Sequence, residues 1–185
     1  MDAAARVIAR QGYAGTKIQD IVREAGLSSG AVYGRFTSKN ELAREAIITR
    51  STRHENEPVP AGTRVADLVA RDASEFKAGL TDTEALLLEA YLTAGRDPVI
   101  AEALAEADRR WRRRVAVTVD AAVRDGSIAE DVDPQAVLLL VRILYLGMLL
   151  HRGSGLPCPD QSSWEHLMNR VIASFGNGAH GGASR

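Results

Sequence analysis

The sequence predicts an all-α protein. Alanine, leucine, arginine and glutamate dominate the stretches between glycine and proline, and these residue types favour helices. The alternation of apolar and polar residues that marks a half-buried strand is nearly absent. Turn signals recur at the spacing of helices, and they divide the chain into about nine of them. We therefore expect a small N-terminal three-helix domain followed by a larger C-terminal helical domain.

The N-terminal helices are bounded by glycines and by polar residues that can cap a helix. The first predicted helix covers 2–11 and ends at Gly12. The second runs from Thr16 to about Glu24, with Gln19 as capping-box partner, and the third from Ser28 to about Gly34. A fourth helix begins at the capping box Ser38-x-x-Glu41. The run Glu57-Pro-Val-Pro-Ala-Gly62 then predicts a linker. We accordingly place one domain over 1–50, a second over 51–176 and a flexible glycine-rich tail over 177–185.

Five helices are predicted in the second domain. They are Thr63–Lys77, a helix from the capping box Thr81-x-x-Glu84 to about Ala94, a long helix from Asp97-Pro98 to Gly126, a helix from Asp133-Pro134 to Gly153, and a last helix opened by Ser162-x-x-Glu165. An aspartate followed by proline is a strong start signal, because aspartate caps the helix and proline suits its first position.

Composition excludes several classes of protein. A net charge of −1 argues against a wholly polybasic nucleic-acid binder, and a single cysteine, Cys158, excludes an internal disulfide framework. Histidines 54, 151, 166 and 180 have no metal-binding spacing, and the usual catalytic motifs are absent, so we expect no enzyme, cofactor or metal. The longest apolar run, 136–150, is shorter than the ~20 residues that span a bilayer, and we expect a cytoplasmic protein.

The segment Thr16–Phe36 has the pattern of a helix-turn-helix. Apolar residues at Ile18, Ile21 and Val22 give the first helix an inner face, and Leu27, Val32 and Phe36 give the second helix its own. Gly26 suits the turn, since glycine adopts a positive φ without strain. The alternative interpretation is a simple α-hairpin, which also consists of two amphipathic helices joined by a turn that contains glycine. However, residues 1–50 carry a net charge of +3 and the remainder −4, which favours DNA binding by the first segment.

In a helix-turn-helix, the second helix enters the major groove with its N-terminal residues facing the bases. Here that helix begins with small side chains, which permit a close approach and can contact base edges. Tyr33 can reach a phosphate, and Lys39 lies in the first turn of the next helix, where anions bind. The predicted DNA contacts are Thr16, Lys17, Gln19, Ser28, Ser29, Gly30, Ala31, Tyr33 and Lys39.

These residues carry a resemblance to a known family. The motifs are Gly12-Tyr13-x-x-Thr16, Ile18-x-x-Ile21, Ala25-Gly26-Leu27-Ser28-x-Gly30-x-Val32-Tyr33-x-x-Phe36 and Ser38-Lys39-x-x-Leu42. Together they resemble the DNA-binding domain of the tetracycline-repressor (TetR) family. The resemblance implies a homodimeric regulator, usually a repressor, whose C-terminal domain binds a small molecule and dimerises. We expect it to bind a palindromic operator and to be released by a small, largely apolar molecule. The resemblance also implies phosphate contacts at Thr16, Lys17, Tyr33 and Lys39, and base contacts from Ser28 to Ala31.

Two features depart from the family pattern. Family members usually carry a basic extension before the first helix, whereas Met1 falls in the first turns of that helix here. Gly34 stands where a larger polar residue is common. An alternative interpretation therefore stays open, in which the chain is a dimeric small-molecule-binding protein with weakened or lost DNA binding.

The predicted eighth helix is apolar on almost every side, so it needs cover from all directions. The ninth is amphipathic, with Trp164, Leu167 and Val171 among its apolar residues. We expect a homodimer in which Pro134–Gly153 and Ser162–Phe175 pair with their symmetry mates in a four-helix bundle. The alternative is that the eighth helix is simply the core of a monomer.

The second domain also carries a predicted effector pocket. Its candidate lining is Leu68, Asp72, Phe76, Leu87, Tyr91, Trp111, Val115 and Leu144. Asp72 lies within an apolar stripe, so it needs a partner, either a polar group of the ligand or Arg142. The run of arginines around Trp111 favours a solvated face over a second nucleic-acid site. His151 is expected to be a satisfied buried histidine and Cys158 an incidental thiol.

Overall fold

The computed structural model describes residues 1–55, 60, 63–70 and 79–176. Within these residues the chain forms nine α-helices and no strand, which confirms the all-α prediction. The helices are α1 (Asp2–Gly15), α2 (Ile18–Ala25), α3 (Ser29–Tyr33), α4 (Lys39–Glu55), α5 (Val65–Ala70), α6 (Asp82–Ala94), α7 (Pro98–Arg124), α8 (Pro134–Ser154) and α9 (Gln161–Ala173). Most of the predicted linker and the predicted tail, 177–185, lie outside the described residues.

The chain forms two compact units, and their division differs from the predicted boundary near residue 50. The first unit combines Met1–Glu57 with Leu80–Trp111, and the second combines Pro58–Gly79 with Arg112–Arg185. Helix α6 and the first half of α7 therefore belong with the four N-terminal helices, although a linker separates them in sequence.

The core of the first unit is built around α1, which packs against α2, α4 and α6. The side chains of Ile8, Leu42 and Ile100 are almost fully buried there. Val32 and Phe36 are buried, as predicted for the inner face of the helix-turn-helix. The prediction for Leu27 is wrong, because 56% of its surface is exposed. Gly26 has a left-handed backbone and reverses the chain, which leaves Leu27 outside the core.

In the second unit, α5 packs against α8 and α9. Its core includes Val119, Ile128, Leu138 and Leu149. Helix α8 is not buried on every side. It has a buried face and an exposed apolar face with Leu139, Ile143 and Leu150, and Leu167 of α9 is exposed as well.

Several predicted caps are confirmed. The Ser28 hydroxyl accepts from the Ala31 amide at 3.2 Å. Thr81 and Glu84 form the reciprocal capping box of α6. Aspartates cap α7 and α8 immediately before their prolines, with Asp133 Oδ1 accepting from the Gln135 amide at 2.8 Å.

Other boundaries differ from the prediction. Helix α1 continues past Gly12 through a kink and ends at Gly15. Helix α2 begins at Ile18, and its capping carboxylate is Asp20 rather than Gln19, accepting from the Lys17 amide at 3.2 Å. Helix α9 begins one residue before Ser162, because Asp160 is the residue whose side chain accepts from the Ser163 amide.

Two further ends differ as well. The Glu41 amide donates to Ser38, as predicted, yet the Glu41 carboxylate accepts from Thr37 instead of completing the box. Helix α8 runs to Ser154 and is closed by Gly155, two residues beyond the predicted end. At 21 residues, α8 is long and apolar enough to cross a bilayer by length and composition alone, so the expectation that this segment is too short is wrong. Its buried arginines, Arg142 and Arg152, favour a core helix.

Candidate DNA-binding surface

The candidate surface is formed where α2 and α3 meet. Gly26 has φ 64° and ψ 25°, and its amide donates to the last carbonyls of α2, which ends that helix sharply. The chain then turns into α3, with Ser28 as its cap. Val32 is buried against the rest of the first unit, so the opposite side of α3 faces outward.

The residues predicted to face the bases are all exposed. Ser28, Ser29, Gly30 and Ala31 form the first turn of α3 and its cap. A methyl group at Gly30 would meet no atom within 4 Å, so the backbone is open at this position. The Ser28 hydroxyl accepts from a backbone amide and keeps its own proton for a base or a phosphate.

Tyr33 and Gln19 are also exposed, and they contact each other. The Gln19 side-chain amide donates to the Tyr33 hydroxyl at 3.2 Å, and 44% of the Tyr33 surface remains accessible. Lys17, at the start of α2, is exposed as well. Gly34 is not inside a helix but closes α3, and a Cβ there would stand only 3.0 Å from the Gly30 carbonyl oxygen.

Thr16 does not lie on this surface. Only 2% of its area is exposed, and its hydroxyl donates to the Gly12 carbonyl at 2.8 Å. This bond closes the kinked end of α1. We therefore leave Thr16 out of the proposed DNA contacts made by side chains.

Lys39 is half-buried and has partners within the first unit. Its ammonium donates to the Tyr13 carbonyl at 2.8 Å and lies 4.4 Å from the centre of the Tyr13 ring. An ammonium has three donors. One is used here and one side of the group faces the ring, so Lys39 retains hydrogen-bonding capacity for a phosphate.

The residues that hold Tyr13 were missed by the sequence analysis. Its amide donates to Glu89 Oε2 at 2.8 Å, and its hydroxyl donates to Asn40 Oδ1 at 2.6 Å and to Asp97 Oδ2 at 3.3 Å. Burial and the nearby Asp97 carboxylate raise the pKa of Tyr13 to about 12. The one signal in the sequence was Glu89 itself, a carboxylate within the otherwise apolar run 85–92 of α6.

Two arginines of α1 are tied to α2. Glu24 accepts from Arg6 Nε and from Arg10, each at 2.7 Å. These hydrogen bonds, that of Arg10 first, lower the pKa of Glu24 to about 2. The charge of both arginines is therefore partly balanced within the unit. Arg23, near the end of α2, is exposed and lies 3.8 Å from Asp20, and Arg35, just after α3, is exposed.

The predicted effector-pocket residues fall into three groups. Leu87, Tyr91 and Trp111 are half-buried members of the first unit. Leu68, Val115 and Leu144 belong to the second unit. Asp72 and Phe76 lie outside the described residues, so the predicted pairing of Asp72 with Arg142 stays a prediction.

The remaining candidates have structural contacts. In the arginine run, Arg110 pairs with Glu106 one turn earlier on α7. His151 is half-buried rather than buried, and its ring nitrogen lies 3.0 Å from the Pro157 carbonyl oxygen. Cys158 is half-buried, with its thiol donating to the Leu156 carbonyl at 3.8 Å.

The solved structures of several bacterial regulators are similar to this chain. GusR of Salmonella enterica is 23% identical, with a TM-score of 0.70 over 94% of this chain and 91% of its own. A transcriptional regulator from Saccharomonospora viridis, in complex with choline, is 21% identical, with a TM-score of 0.72 over 92% of each chain. A TetR-family regulator from Rhodococcus sp. is 21% identical, with a TM-score of 0.72 over 95% of each chain. These likenesses establish the fold.

Sequence profiles match two segments of the chain. The profile described as "Bacterial regulatory proteins, tetR family" matches residues 1–46. The profile described as "Tetracyclin repressor-like, C-terminal domain" matches residues 86–153. No curated protein sequence matches closely. The two profiles together cover more than half of the chain and agree with its nine-helix architecture within the described residues, so this chain belongs to the TetR family of transcriptional regulators.

Proposed function

We propose that the protein is a homodimeric repressor that binds a palindromic DNA operator and is released by a small, largely apolar molecule. The observation that carries the proposal is the start of α3, where Ser29, Gly30 and Ala31 are exposed with no bulky side chain among them. Such a surface lets a helix approach base edges closely.

Charged and polar groups around α3 supply phosphate contacts in this proposal. Lys17 and Lys39 each stand at the start of a helix, where a backbone amide and a positive charge act on the same anion. Tyr33 offers a hydroxyl, and Gln19 donates to it, which orients the phenol on the exposed side. Phosphate contacts set the register, while the small residues of α3 select the bases.

The proposed dimer interface is the exposed apolar face of α8 and α9. Leu139, Ile143 and Leu150 recur at helical spacing along α8, and about half of each side chain is exposed. Leu167 of α9 is 51% exposed. Large apolar side chains exposed on an isolated subunit are typical of an interface. A second copy covers it through a self-complementary two-fold contact.

The effector is proposed to bind the C-terminal helices. This part of the proposal is supported by the family profile over 86–153 and by the regulator crystallised with choline. The predicted lining is largely apolar, which fits an apolar molecule with few polar groups. The effector would act by favouring dimers whose two recognition helices are wrongly spaced for successive major grooves. The protein would work in the cytoplasm, associated with the nucleoid when bound to DNA.

Binding to DNA upstream of the protein's own gene tests the proposal. Fluorescence anisotropy should show specific binding that weakens steeply as salt concentration rises. The protein displaces cations that are condensed on the DNA phosphates, and a high salt concentration opposes their release. Ser29→Ala and Ala31→Ser should change the preferred bases. Lys17→Ala should weaken binding to all sequences. A flat salt dependence would contradict the proposal.

A second function is favoured by the contacts of Thr16 and Lys39, both of which are engaged within the protein. In this alternative the chain is a dimeric small-molecule-binding protein with weakened or lost DNA binding. Selection from a random-sequence pool of duplexes separates the two functions. An enriched palindrome supports the repressor, whereas no enrichment beside a ligand identified by mass spectrometry of the purified protein supports the alternative.

A further inference from the structure

We propose that Asp97 is a positioning residue for DNA binding, because it fixes the place of Lys39 through two intervening side chains. The inference rests on the proposed function, in which Lys39 contacts a DNA phosphate. Asp97 lies at the start of α7, and Lys39 lies at the start of α4, so the link joins two helices of the first unit.

The two oxygens of the Asp97 carboxylate have different tasks. Oδ1 caps α7, accepting from the amides of Val99 at 3.0 Å and Ile100 at 3.3 Å. Oδ2 accepts from the Asn40 side-chain amide at 2.6 Å and from the Tyr13 hydroxyl at 3.3 Å. One carboxylate therefore attaches the start of α7 to both α1 and α4.

Asn40 and Tyr13 close a small hydrogen-bonded ring with Asp97. The single proton of the Tyr13 hydroxyl is directed at Asn40 Oδ1 at 2.6 Å, and the hydroxyl oxygen lies 3.3 Å from Asp97 Oδ2, a weaker contact that closes the ring. The group is part-buried, which makes these bonds more directional and their loss more costly than on an open surface. Because the ring fixes the phenol, it also fixes the plane of the Tyr13 side chain.

The fixed Tyr13 in turn holds Lys39. Its carbonyl accepts from the ammonium, and its ring lies beneath the same charge. Glu89 of α6 holds the other side of the residue by accepting from the Tyr13 amide. A shift of Tyr13 would therefore displace both contacts of the ammonium at once. Lys39 is placed by α6 and α7 as much as by its own helix.

Asp97→Asn tests this link while keeping the cap, since asparagine caps a helix as well as aspartate does. The variant amide replaces the carboxylate that accepts from the Asn40 amide, so the charge-assisted hydrogen bond of the ring is lost. We expect DNA affinity to fall by about tenfold. The slope of the logarithm of the binding constant against the logarithm of salt concentration should become less steep by about 0.9 per subunit, as for one lost phosphate contact. The DNA is a duplex selected with the wild-type protein from a random-sequence pool.

The exchange variant Asn40→Asp with Asp97→Asn provides the rescue. In it, the new amide at 97 donates to the new carboxylate at 40, which still accepts from the Tyr13 hydroxyl. We expect this double variant to recover DNA affinity to within about twofold of wild type, whereas each single variant is impaired. If DNA affinity recovers in the double variant while the thermal midpoints of the three variants do not follow the same order, the effect on DNA binding is due to positioning and not to overall stability.

Two comparisons complete the experiment. Glu102→Gln makes the same change of charge on an exposed part of α7 and should leave DNA binding unchanged. In a Lys39→Ala background, Asp97→Asn should have no further effect on affinity, because both act through one contact. Additive effects would overturn the inference, as would an Asp97→Asn variant with wild-type affinity while Lys39→Ala is weakened.

The same data distinguish failure of the inference from failure of the proposed function. If Lys39→Ala binds like wild type, the proposed phosphate contact is wrong and the inference falls with it. If the wild-type protein enriches no duplex, the proposed repressor function fails before Asp97 is tested. If only the link from Asp97 is wrong, Lys39→Ala is weakened and the Asp97→Asn variant is not.

Discussion

At the residue scale, the kink in α1 depends on one glycine. Gly12 has φ 71° and ψ 162°, a backbone conformation that residues with a side chain rarely adopt. The kink interrupts the regular helical bonding of α1, and the Tyr13 amide donates to Glu89 instead. The sequence pattern placed a helix end at Gly12, and the structure places a kink there.

Gly12→Ala should lower the free energy of unfolding by about 1–3 kcal/mol, because alanine is strained at this φ. Space is not the reason, since a Cβ would lie 3.6 Å from the Glu89 carboxylate, an ordinary contact. Urea unfolding followed by circular dichroism measures the change. Gly15→Ala is the matched control, at a position with no positive φ, and should change stability by less than about 1 kcal/mol. Equal losses in both variants would contradict this explanation.

Acid stability should depend on Glu24. Its pKa falls from an ordinary value of 4.5 to about 2 in the folded protein, owing to Arg10 and Arg6. Because the folded value is the lower one, these bonds stabilise the fold fully above about pH 4.5 and lose their effect as pH falls toward 2. We expect wild type to be more stable than Glu24→Gln at pH 7. The difference should vanish near pH 2 and shrink in high salt, as measured by urea unfolding.

At the element scale, local motifs made most of the helices predictable. Thr81 with Glu84, and the two Asp-Pro pairs, are complete within a few residues, so their caps follow from sequence alone. The extension of α1 past Gly12 could not be predicted, because it depends on Glu89, 76 residues further along the chain. The contacts of Lys39 were missed for the same reason, since Tyr13 lies on another helix.

The start of α9 offers a direct test of a corrected boundary. Asp160 accepts from the hydroxyls of Ser162 and Ser163 and from the Ser163 amide, and these hydrogen bonds lower its pKa to about 2. We expect Asp160→Ala to lower the thermal midpoint, while Asp160→Asn, which keeps the capping oxygen, changes it little. A larger loss for Ser162→Ala than for Asp160→Ala would instead favour the boundary predicted from sequence.

At the scale of the whole molecule, the sequence indicated a helix without a polar face but not how it is covered. The structure divides that helix into a core side, with Leu138 and Leu149, and an exposed side, with Ile143. Periodicity cannot separate a buried core from an interface, because both select the same residue types. The exposed fractions of the side chains make the distinction.

Ile143→Glu should dissociate the proposed dimer. It places a charge at the centre of the apolar face, and we expect the dimer Kd to rise by about 100-fold or more, with a parallel loss of operator affinity. Sedimentation equilibrium and anisotropy measure the two effects. Val117→Glu is the control, because Val117 is 65% exposed on α7, outside the proposed interface. A dimer that survives Ile143→Glu but not Val117→Glu would place the interface elsewhere.

The composition of the first unit has a consequence for biosynthesis. Its core includes Leu86 and Ala90 of α6 and Ile100 of α7, which lie beyond the linker in sequence. The ribosome must therefore complete the chain through residue 111 before the DNA-reading helices can finish packing. A hybrid regulator assembled by joining two relatives at residue 57 would give α1 a foreign α6. Grafts that exchange 1–57 and 80–111 together keep the native partners, and these are the hybrids that should fold.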